Sequence, residues 1–219
     1  MIFSITTVIR PLFDNTCTKD VIYIVQPSVY SYENIIEAAL EIIREEGWSA
    51  VTTRAIAKKI GSSTMPIYSR VKSVDDLEKD VRIKAREVLK VFQRRPVTSD
   101  TLLNVAFGYV AFARDEANLF RYLYLERPEK LSSEDSSGMS KTFASDFGDD
   151  SEEQKALENL QRSGHDELVQ YTWIFVHGMA TLVSSGTYAS ISDEAILRFL
   201  TNAGEAFHLW STKDDAKDD

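Results

Sequence analysis

The stretch VTTRAIAKKIGSSTMPIYSRVKS, residues 51–73, decides the fold of this chain. Apolar residues recur at helical spacing on both sides of Gly61, which predicts two short helices joined by a tight polar turn. Thr52 is suited to cap the first helix and Ser63 the second. Pro66 falls in the first turn of the second helix, where its missing N–H costs little. Helices this short are marginal alone, so we expect flanking helices to brace them.

Positive charge is concentrated around this stretch, although the whole chain is acidic. The 219 residues carry 25 Lys and Arg against 34 Asp and Glu, a formal net charge of −9. Residues 31–95 contain 13 basic and 10 acidic side chains, whereas residues 96–219 contain 10 and 22. An acidic protein with one basic end can bind an anionic polymer through that end. Charge alone leaves open the alternative of an ordinary solvated helix face.

The composition predicts a mostly helical globular protein of one large or two small domains. Nine Gly and five Pro are few for a turn-rich all-β chain. The single Cys17 excludes an intramolecular disulfide and a Cys-based zinc site, so we expect a reducing, cytoplasmic location. The first residues lack the basic start of a signal peptide. The uncharged stretch at residues 168–192 is too polar for a membrane span.

Helical periodicity extends along most of the chain on either side of residues 51–73. Ser31 and Gly47 are expected to bound the first helix, and Ser73 to cap a long fourth helix. Further helices are expected to start at Ser99 or Asp100 and to cover residues 152–163, 166–186 and 193–212. Residues 127–150 are rich in Ser, Asp and Gly and are predicted to form a long loop.

Residues 1–30 are the hardest part of the chain to interpret. The segment VIYIV at residues 21–25 favours a short strand or an extended segment, without a clear partner strand nearby. An ordered arm, a disordered tail and translation from an upstream start codon all remain open. At the other end, residues 213–219 form an acidic tail.

The two short helices form a helix-turn-helix pattern, which suits DNA because the second helix can enter the major groove. Many two-helix corners share that bare pattern. Here residues 32–77 resemble the DNA-binding domain of TetR/AcrR-family transcriptional regulators. The resemblance rests on IIEAALEIIREEGWSAVTTRAIAKKIGSS at residues 35–63, PIYSRVKS at residues 66–73, and Leu77. In addition, TWIFVHGMATLVSSG at residues 172–186 is similar to the W-x-x-x-H-G signature of one class of ligand-binding domains in that family.

The resemblance implies an all-α protein of two parts. An N-terminal three-helix helix-turn-helix domain would occupy residues 31–78. A C-terminal helical bundle for ligand binding and dimerisation would occupy residues 79–212. Residues 1–30 would form an N-terminal extension.

The resemblance also implies DNA contacts on both helices of the motif. Thr53 and Arg54 correspond to positions that contact phosphate and, for the arginine, a guanine edge. Tyr68 corresponds to a tyrosine whose hydroxyl holds a phosphate. The expected DNA-binding residues are Thr53, Arg54, Ser63, Thr64, Met65, Tyr68, Ser69, Arg70 and Lys72.

Three features depart from the family pattern. Val74 stands where a lysine is usual, and Val71 stands where the family has the aromatic partner of the tyrosine. The segment QPSVYSY before the first helix lacks the basic arm that many members carry. We therefore expect modest DNA affinity, or affinity that depends more on dimerisation.

The function that follows is a dimeric repressor released from a palindromic operator by a small molecule. The alternative is a regulator of the same fold that is controlled by a protein partner. The resemblance implies a ligand pocket bordered by some of the aromatic residues, although the same residues could equally be core. The candidate ligand contacts are Phe107, Phe112, Tyr122, Trp173 and His177. The resemblance places the dimer interface on the last two helices, and their apolar faces fit that expectation: Trp173, Val176, Ala180, Val183, Ile196, Phe199, Leu200, Ala203, Phe207 and Trp210.

A third interpretation is an all-α enzyme built around His177. Trp173 and Thr181 stand four residues before and after it, where a metal or catalytic site would need His, Asp or Glu. We therefore expect no enzymatic activity, no metal and no cofactor. The expected partners are double-stranded DNA, a second copy of the chain and a small-molecule effector, but not a membrane.

Overall fold

The regular secondary structure of the described residues is entirely helical, as the sequence predicts. The structure is a computed structural model, and it describes residues 31–128, 151–162, 166–188 and 190–215. The expected N-terminal extension, the strand at residues 21–25, most of the loop at residues 127–150 and the end of the acidic tail lie outside these residues. The helices are α1 (Tyr32–Glu46), α2 (Thr53–Lys59), α3 (Met65–Arg70), α4 (Val74–Gln93), α5 (Thr101–Asp115), α6 (Ala117–Arg121), α7 (Glu152–Arg162), α8 (Asp166–Ser184) and α9 (Asp193–Asp215).

Side-chain caps begin several of these helices at the predicted residues. The Ser31 hydroxyl accepts a hydrogen bond from the Asn34 amide at 3.1 Å, and the Asn34 side chain accepts one from the Ser31 amide at 2.9 Å. Thr52 caps α2 and Ser73 caps α4 in the same way, at 3.1 and 3.0 Å. Each cap satisfies an amide that the first helical turn leaves without a partner. Gly47 ends α1 with φ 85°, a conformation that favours glycine.

The predicted cap at Ser63 is wrong. Thr64 occupies the N-cap position of α3, and no side chain accepts a hydrogen bond there. Thr64 has φ −74° and ψ −20°, so the backbone is already helical where a side-chain cap needs an extended residue. Pro66 lies in the first turn of α3, as expected.

Helices α2 and α3 share a hydrophobic core with α1 and α4, which support them. Ile56 of α2 and Ile67 of α3 are each only 2% exposed and join the core built on the apolar stripe of α1. A second link joins α1 to α4, where the Tyr32 hydroxyl donates to Asp80 at 2.7 Å. Burial, followed by this hydrogen bond, raises the pKa of Tyr32 to about 12. Short helices are stable here because tertiary burial stabilises them, as the sequence led us to expect.

Helix α4 joins the helix-turn-helix to the C-terminal bundle without a break. It runs through Val74–Gln93, so the expected domain boundary at residue 78 falls inside a continuous helix. In the bundle α5 is central, and its nine consecutive residues 105–113 are all buried. Around α5 pack α4, α7, α8 and α9. A rotation of α4 therefore moves both parts of the molecule together.

A cluster of aromatic and charged side chains lies where the helix-turn-helix meets the bundle. We call it the joint cluster, and it comprises Trp48, Glu78, Arg82, Tyr122 and Arg127. Trp48 stacks on Tyr122 with ring centroids 5.0 Å apart, and the Tyr122 hydroxyl donates to the Glu78 carbonyl at 3.1 Å. Burial raises the pKa of Tyr122, so its hydroxyl keeps its proton. Glu78 pairs with Arg127 at 3.3 Å and with Arg82 at 3.6 Å.

The last two helices bury part of the face that the sequence assigned to dimerisation. Five of the ten residues on that face are buried within the protomer: Val176, Ala180, Val183, Ile196 and Leu200. Helix α8 is apolar around most of its circumference, so its pattern does not distinguish the side that packs on α5. Phe199, which belongs to the predicted face, is 43% exposed, and Ile174, which does not, is 49% exposed.

Candidate nucleic-acid interface

The outward side of α3 carries residues that are too exposed to serve the core. Met65 is 77% exposed and Tyr68 is 70% exposed, while Ile67 between them is buried. Residues three apart on a helix lie on one face, so Met65 and Tyr68 project together. Of the nine predicted DNA-binding residues, Thr53 and Thr64 are half-buried, and the others are exposed: Arg54, Ser63, Met65, Tyr68, Ser69, Arg70 and Lys72. The structure thus brings the predicted residues to one accessible motif.

The basic residues of the motif fall into two groups. Lys59 pairs with Glu45 at 2.7 Å and with Glu41 at 3.3 Å, both on α1. These hydrogen bonds raise the pKa of Lys59. Its positive charge is therefore balanced within the protein, and it braces α2 against α1. Arg54 and Lys72 make no ion pair with any residue of the described ranges, so their charge is available to an anionic partner.

Two hydroxyls near α3 are engaged with the backbone. Ser69 donates to the Pro66 carbonyl at 2.8 Å, and Ser62 donates to the Ser63 carbonyl at 3.0 Å. The oxygen of Ser69 can still accept a hydrogen bond, because a hydroxyl has two lone pairs. In this conformation Ser69 can therefore contact a donor such as the amino group of a base.

The start of α4 has an apolar residue where a cation would meet a phosphate. Val74 is exposed, and Asp75 and Asp76 follow it in the first turn of the helix. These acids suit the positive end of the helix dipole but not a nearby phosphate. Lys72, just before α4, is the exposed cation at this edge.

The bundle contains a cavity of about 450 Å³ between α5, α7, α8 and α9. Trp173 lines it, but the other four expected ligand contacts are not among its lining residues. Phe107, Phe112 and Tyr122 are buried in the main hydrophobic core. His177 stacks on Trp173 with ring centroids 4.9 Å apart, and its Nδ1 lies 3.0 Å from the Tyr109 hydroxyl.

Sequence reasoning missed the leucines on the cavity wall. Leu157 and Leu160 of α7 lie three residues apart on one face and line it together with Leu103 of α5. An amphipathic α7 was visible in the sequence, but its apolar face alone does not reveal a space rather than a packed contact. The ligand contacts predicted from the sequence were mostly aromatic residues, and three of them lie in the main core rather than on the cavity wall.

Among the described residues, no group of three or more His, Cys, Asp or Glu side chains is arranged to hold a metal ion. Of the helices that the structure describes, not one combines the length and apolar character that crossing a bilayer requires.

Comparison with known proteins supports the assignment of the motif. Residues 35–77 match the sequence model of a family described as bacterial regulatory proteins, tetR family. A protein of Mycobacterium tuberculosis described as an uncharacterized HTH-type transcriptional regulator is 30% identical over 99 residues. That alignment covers 43% of this chain and 45% of the relative, so the match spans less than half the length of either protein. The matched residues 35–77 form most of α1, all of α2 and α3 and the start of α4, so this part of the chain is similar to the helix-turn-helix domain of tetR-family bacterial regulatory proteins.

Proposed function

We propose that this protein is a dimeric transcriptional repressor that binds a pseudo-palindromic operator and leaves it when a small molecule binds the C-terminal bundle. The observation that carries the DNA-binding part is the exposed outer face of α3, held out by the buried Ile67 within a TetR-family domain. Packing within the protomer does not require Met65 and Tyr68 to be so exposed, whereas a helix that enters the major groove presents such side chains to the DNA.

Each side of the motif has a role in this proposal. Helix α3 enters the major groove with Met65, Ser69 and Arg70 toward the bases. Arg54 at the start of α2 reaches a guanine edge or a phosphate, since a guanidinium can donate two parallel hydrogen bonds. Tyr68 and Lys72 hold the backbone. Each cation that neutralises a phosphate makes the affinity more dependent on salt.

Dimerisation would place two recognition helices in successive major grooves, roughly 34 Å apart. The exposed apolar residues of α8 and α9 support a second copy of the chain as the partner. A groove of about 320 Å³ lies among them, and Ile174, Leu182 and Phe199 are three of its lining residues. An isologous contact of this face with itself would cover the groove in both copies.

Release by a ligand requires a site whose shape depends on the arrangement of the helices. The cavity between α5, α7, α8 and α9 is such a site, because filling it changes how these helices pack. The joint cluster and the continuous α4 connect the bundle to the helix-turn-helix. Shifting a 1:99 equilibrium to 99:1 requires about 5.5 kcal/mol of differential binding, so the ligand must bind the two states very unequally.

Footprinting with the purified protein on the DNA upstream of its own gene tests the proposal. We expect a protected, pseudo-palindromic site, and Arg54→Ala should weaken binding at least tenfold, equivalent to about 1.4 kcal/mol. Lys155→Ala is the matched control, since it removes the same charge from an exposed position on α7. If no site is protected there or elsewhere in the genome, and Arg54→Ala behaves like the control, the proposal fails.

The same assay separates the two modes of control. Gel shifts with and without small-molecule extracts should show release of the DNA by a component of low molecular mass. Release that only a protein fraction produces would favour the alternative, in which a protein partner controls a regulator of the same fold.

A further inference from the structure

The cavity of the bundle separates two hydrophobic clusters. The small cluster contains Val105, Leu157 and Val169, while the main core continues on the other side through Val176 and Leu200. Residues of both clusters line the space between them. Its volume of about 450 Å³ falls within the range of small-molecule sites. The cavity is thus a partly open space between the two clusters, and the exposed Asp100 and Glu205 lie on its wall.

The charged residues of the cavity wall all have one sign. Asp100 and Glu205 line it, and no Lys, Arg or His is among the described residues that do so. Asp100 accepts the Leu103 amide through one oxygen at 3.0 Å, and neither carboxylate forms an ion pair with a described residue. A negative group entering this space would meet two like charges without a compensating cation.

Two further features of the wall favour a cation. Trp173 is part of it, and indole is the side chain whose ring face attracts cations best. His177, which stacks on Trp173, adds no positive charge near pH 7, because burial lowers its pKa. From residue 96 onward, the described residues carry 14 acidic against 7 basic side chains, so the field around the bundle attracts cations.

We propose that this cavity binds lipophilic cations, molecules with an apolar body and one positive group held near Asp100 and Glu205. The inference rests on the proposed function only in making such a cation the effector; binding to the cavity does not require DNA. A neutral molecule of the same shape gains the apolar contacts alone, and a fatty-acid-like anion gains them against charge repulsion.

Three probes with nearly the same alkyl chain and different heads test the charge preference. They are decyltrimethylammonium, 1-decanol and decanoate, each below its aggregation concentration. Titration calorimetry on the full chain without DNA, with tryptophan fluorescence as a second readout, gives a Kd for each probe. We expect the cation to bind most tightly and decanoate most weakly.

Variants that remove one carboxylate each test whether Asp100 and Glu205 cause the preference for the cationic probe. Asp100→Asn keeps a good helix cap and Glu205→Gln keeps its shape, so both should fold. Each should weaken the ammonium probe by about threefold to fivefold, the scale of one exposed ion pair, and leave decanol unchanged. Glu194→Gln is the control, since it removes the same charge from an exposed residue of α9 outside the cavity. Leu160→Phe narrows the cavity and should weaken all three probes.

Three outcomes would overturn the inference. They are decanoate binding as tightly as the cation, Asp100→Asn and Glu205→Gln behaving like Glu194→Gln, and no binding of any probe. Operator binding is measured separately by footprinting. A protein that binds DNA but shows no cation preference contradicts this inference alone, and a protein that binds the cation but no DNA contradicts the proposed function alone.

Discussion

Met65 is the most exposed of the large apolar residues that the structure describes, and it begins α3. In the major groove the one apolar group on a base edge is the thymine methyl. The exposed side chains of α3 include no Asn, Gln, Asp or Glu, the residues suited to adenine and cytosine. In the proposed complex with DNA, we therefore expect Met65 to contact a thymine methyl group.

A methyl-deletion experiment tests this role of Met65. Replacing a contacted thymine with deoxyuridine removes only the methyl group, and we expect the wild-type protein to lose about fourfold in affinity, the value of one buried methyl group. Met65→Ala should bind both operators equally. Ile83→Ala, at an exposed position of α4, should respond like the wild type in a gel shift. A methyl effect that persists in Met65→Ala would exclude this contact.

His177 makes folding sensitive to acid. Burial lowers its pKa below the ordinary value of 6.5, so the unfolded chain takes up a proton at a pH where the folded protein does not. The free energy of unfolding should therefore fall as the pH drops below about 6.5, and this fall should level off below the folded pKa. The steepest slope for one proton is about 1.4 kcal/mol per pH unit.

Urea unfolding between pH 7.5 and 5.5 measures how much His177 contributes to the pH dependence of the free energy of unfolding. His177→Gln should lose less stability over that range than the wild type, while its amide can still reach the Tyr109 hydroxyl. His208→Gln, an exposed position of α9, serves as the control and should follow the wild type. Identical slopes for all three proteins would show that His177 does not titrate differently on folding.

At the scale of elements, the crossing of α4 and α5 depends on Gly108. A Cβ placed there would lie 2.4 Å from the Cα of Gln93 and 2.4 Å from the Phe92 carbonyl oxygen. Both obstacles are backbone atoms, so no side chain can rotate away. The two helices approach as closely as they do because this residue has no side chain.

Gly108→Ala should accordingly destabilise the protein. Separating the helices enough for a methyl group costs typically about 1–3 kcal/mol, which outweighs the gain in helix propensity. Gly204→Ala is the matched control, since a Cβ there meets nothing within 4 Å in α9 and should be neutral or mildly stabilising. Thermal unfolding compares the two variants, and we expect a lower midpoint for Gly108→Ala. Equal midpoints for Gly108→Ala and Gly204→Ala would contradict the close crossing of α4 and α5.

At the scale of the whole molecule, the exposed apolar residues of α8 and α9 form a surface suited to binding a partner. Ile174 and Phe199 lie on the groove between these helices, whereas Val176 and Leu200 turn into the core. Apolar residues grouped around a groove mark interaction sites more often than scattered ones do. This is the surface at which we expect the two copies of the proposed dimer to meet.

Ile174→Asp and Phe199→Asp should convert the dimer to monomers, because each places an unpaired carboxylate in the apolar contact. Light scattering after size exclusion measures the mass, and circular dichroism confirms that the helices remain. Ile83→Asp is the control, since it introduces the same charge on exposed α4. A wild-type protein that is monomeric at all concentrations, or variants that remain dimeric, would rule out this interface.

Most of the architecture near the N-terminus follows from local sequence. The caps at Ser31, Thr52 and Ser73 and the glycine at the end of α1 are short-range features, so they are readable without a fold. The exposure of Arg54 and Tyr68 likewise follows from the helix-turn-helix pattern. Ser63 is the exception, because the backbone of the turn enters α3 already helical at Thr64.

The sequence by itself determined the helical class, the starts of α1, α2 and α4 and the TetR-type motif, since these depend on periodicity and on contacts a few residues apart. Only the tertiary structure decided which side of α8 is buried, because an apolar helix offers no polar face to distinguish its sides. It also decided that Lys59 is neutralised by α1 and that Trp173 borders a cavity while Phe107 does not. Those outcomes depend on how separate helices pack against one another, and no pattern within one helix encodes them.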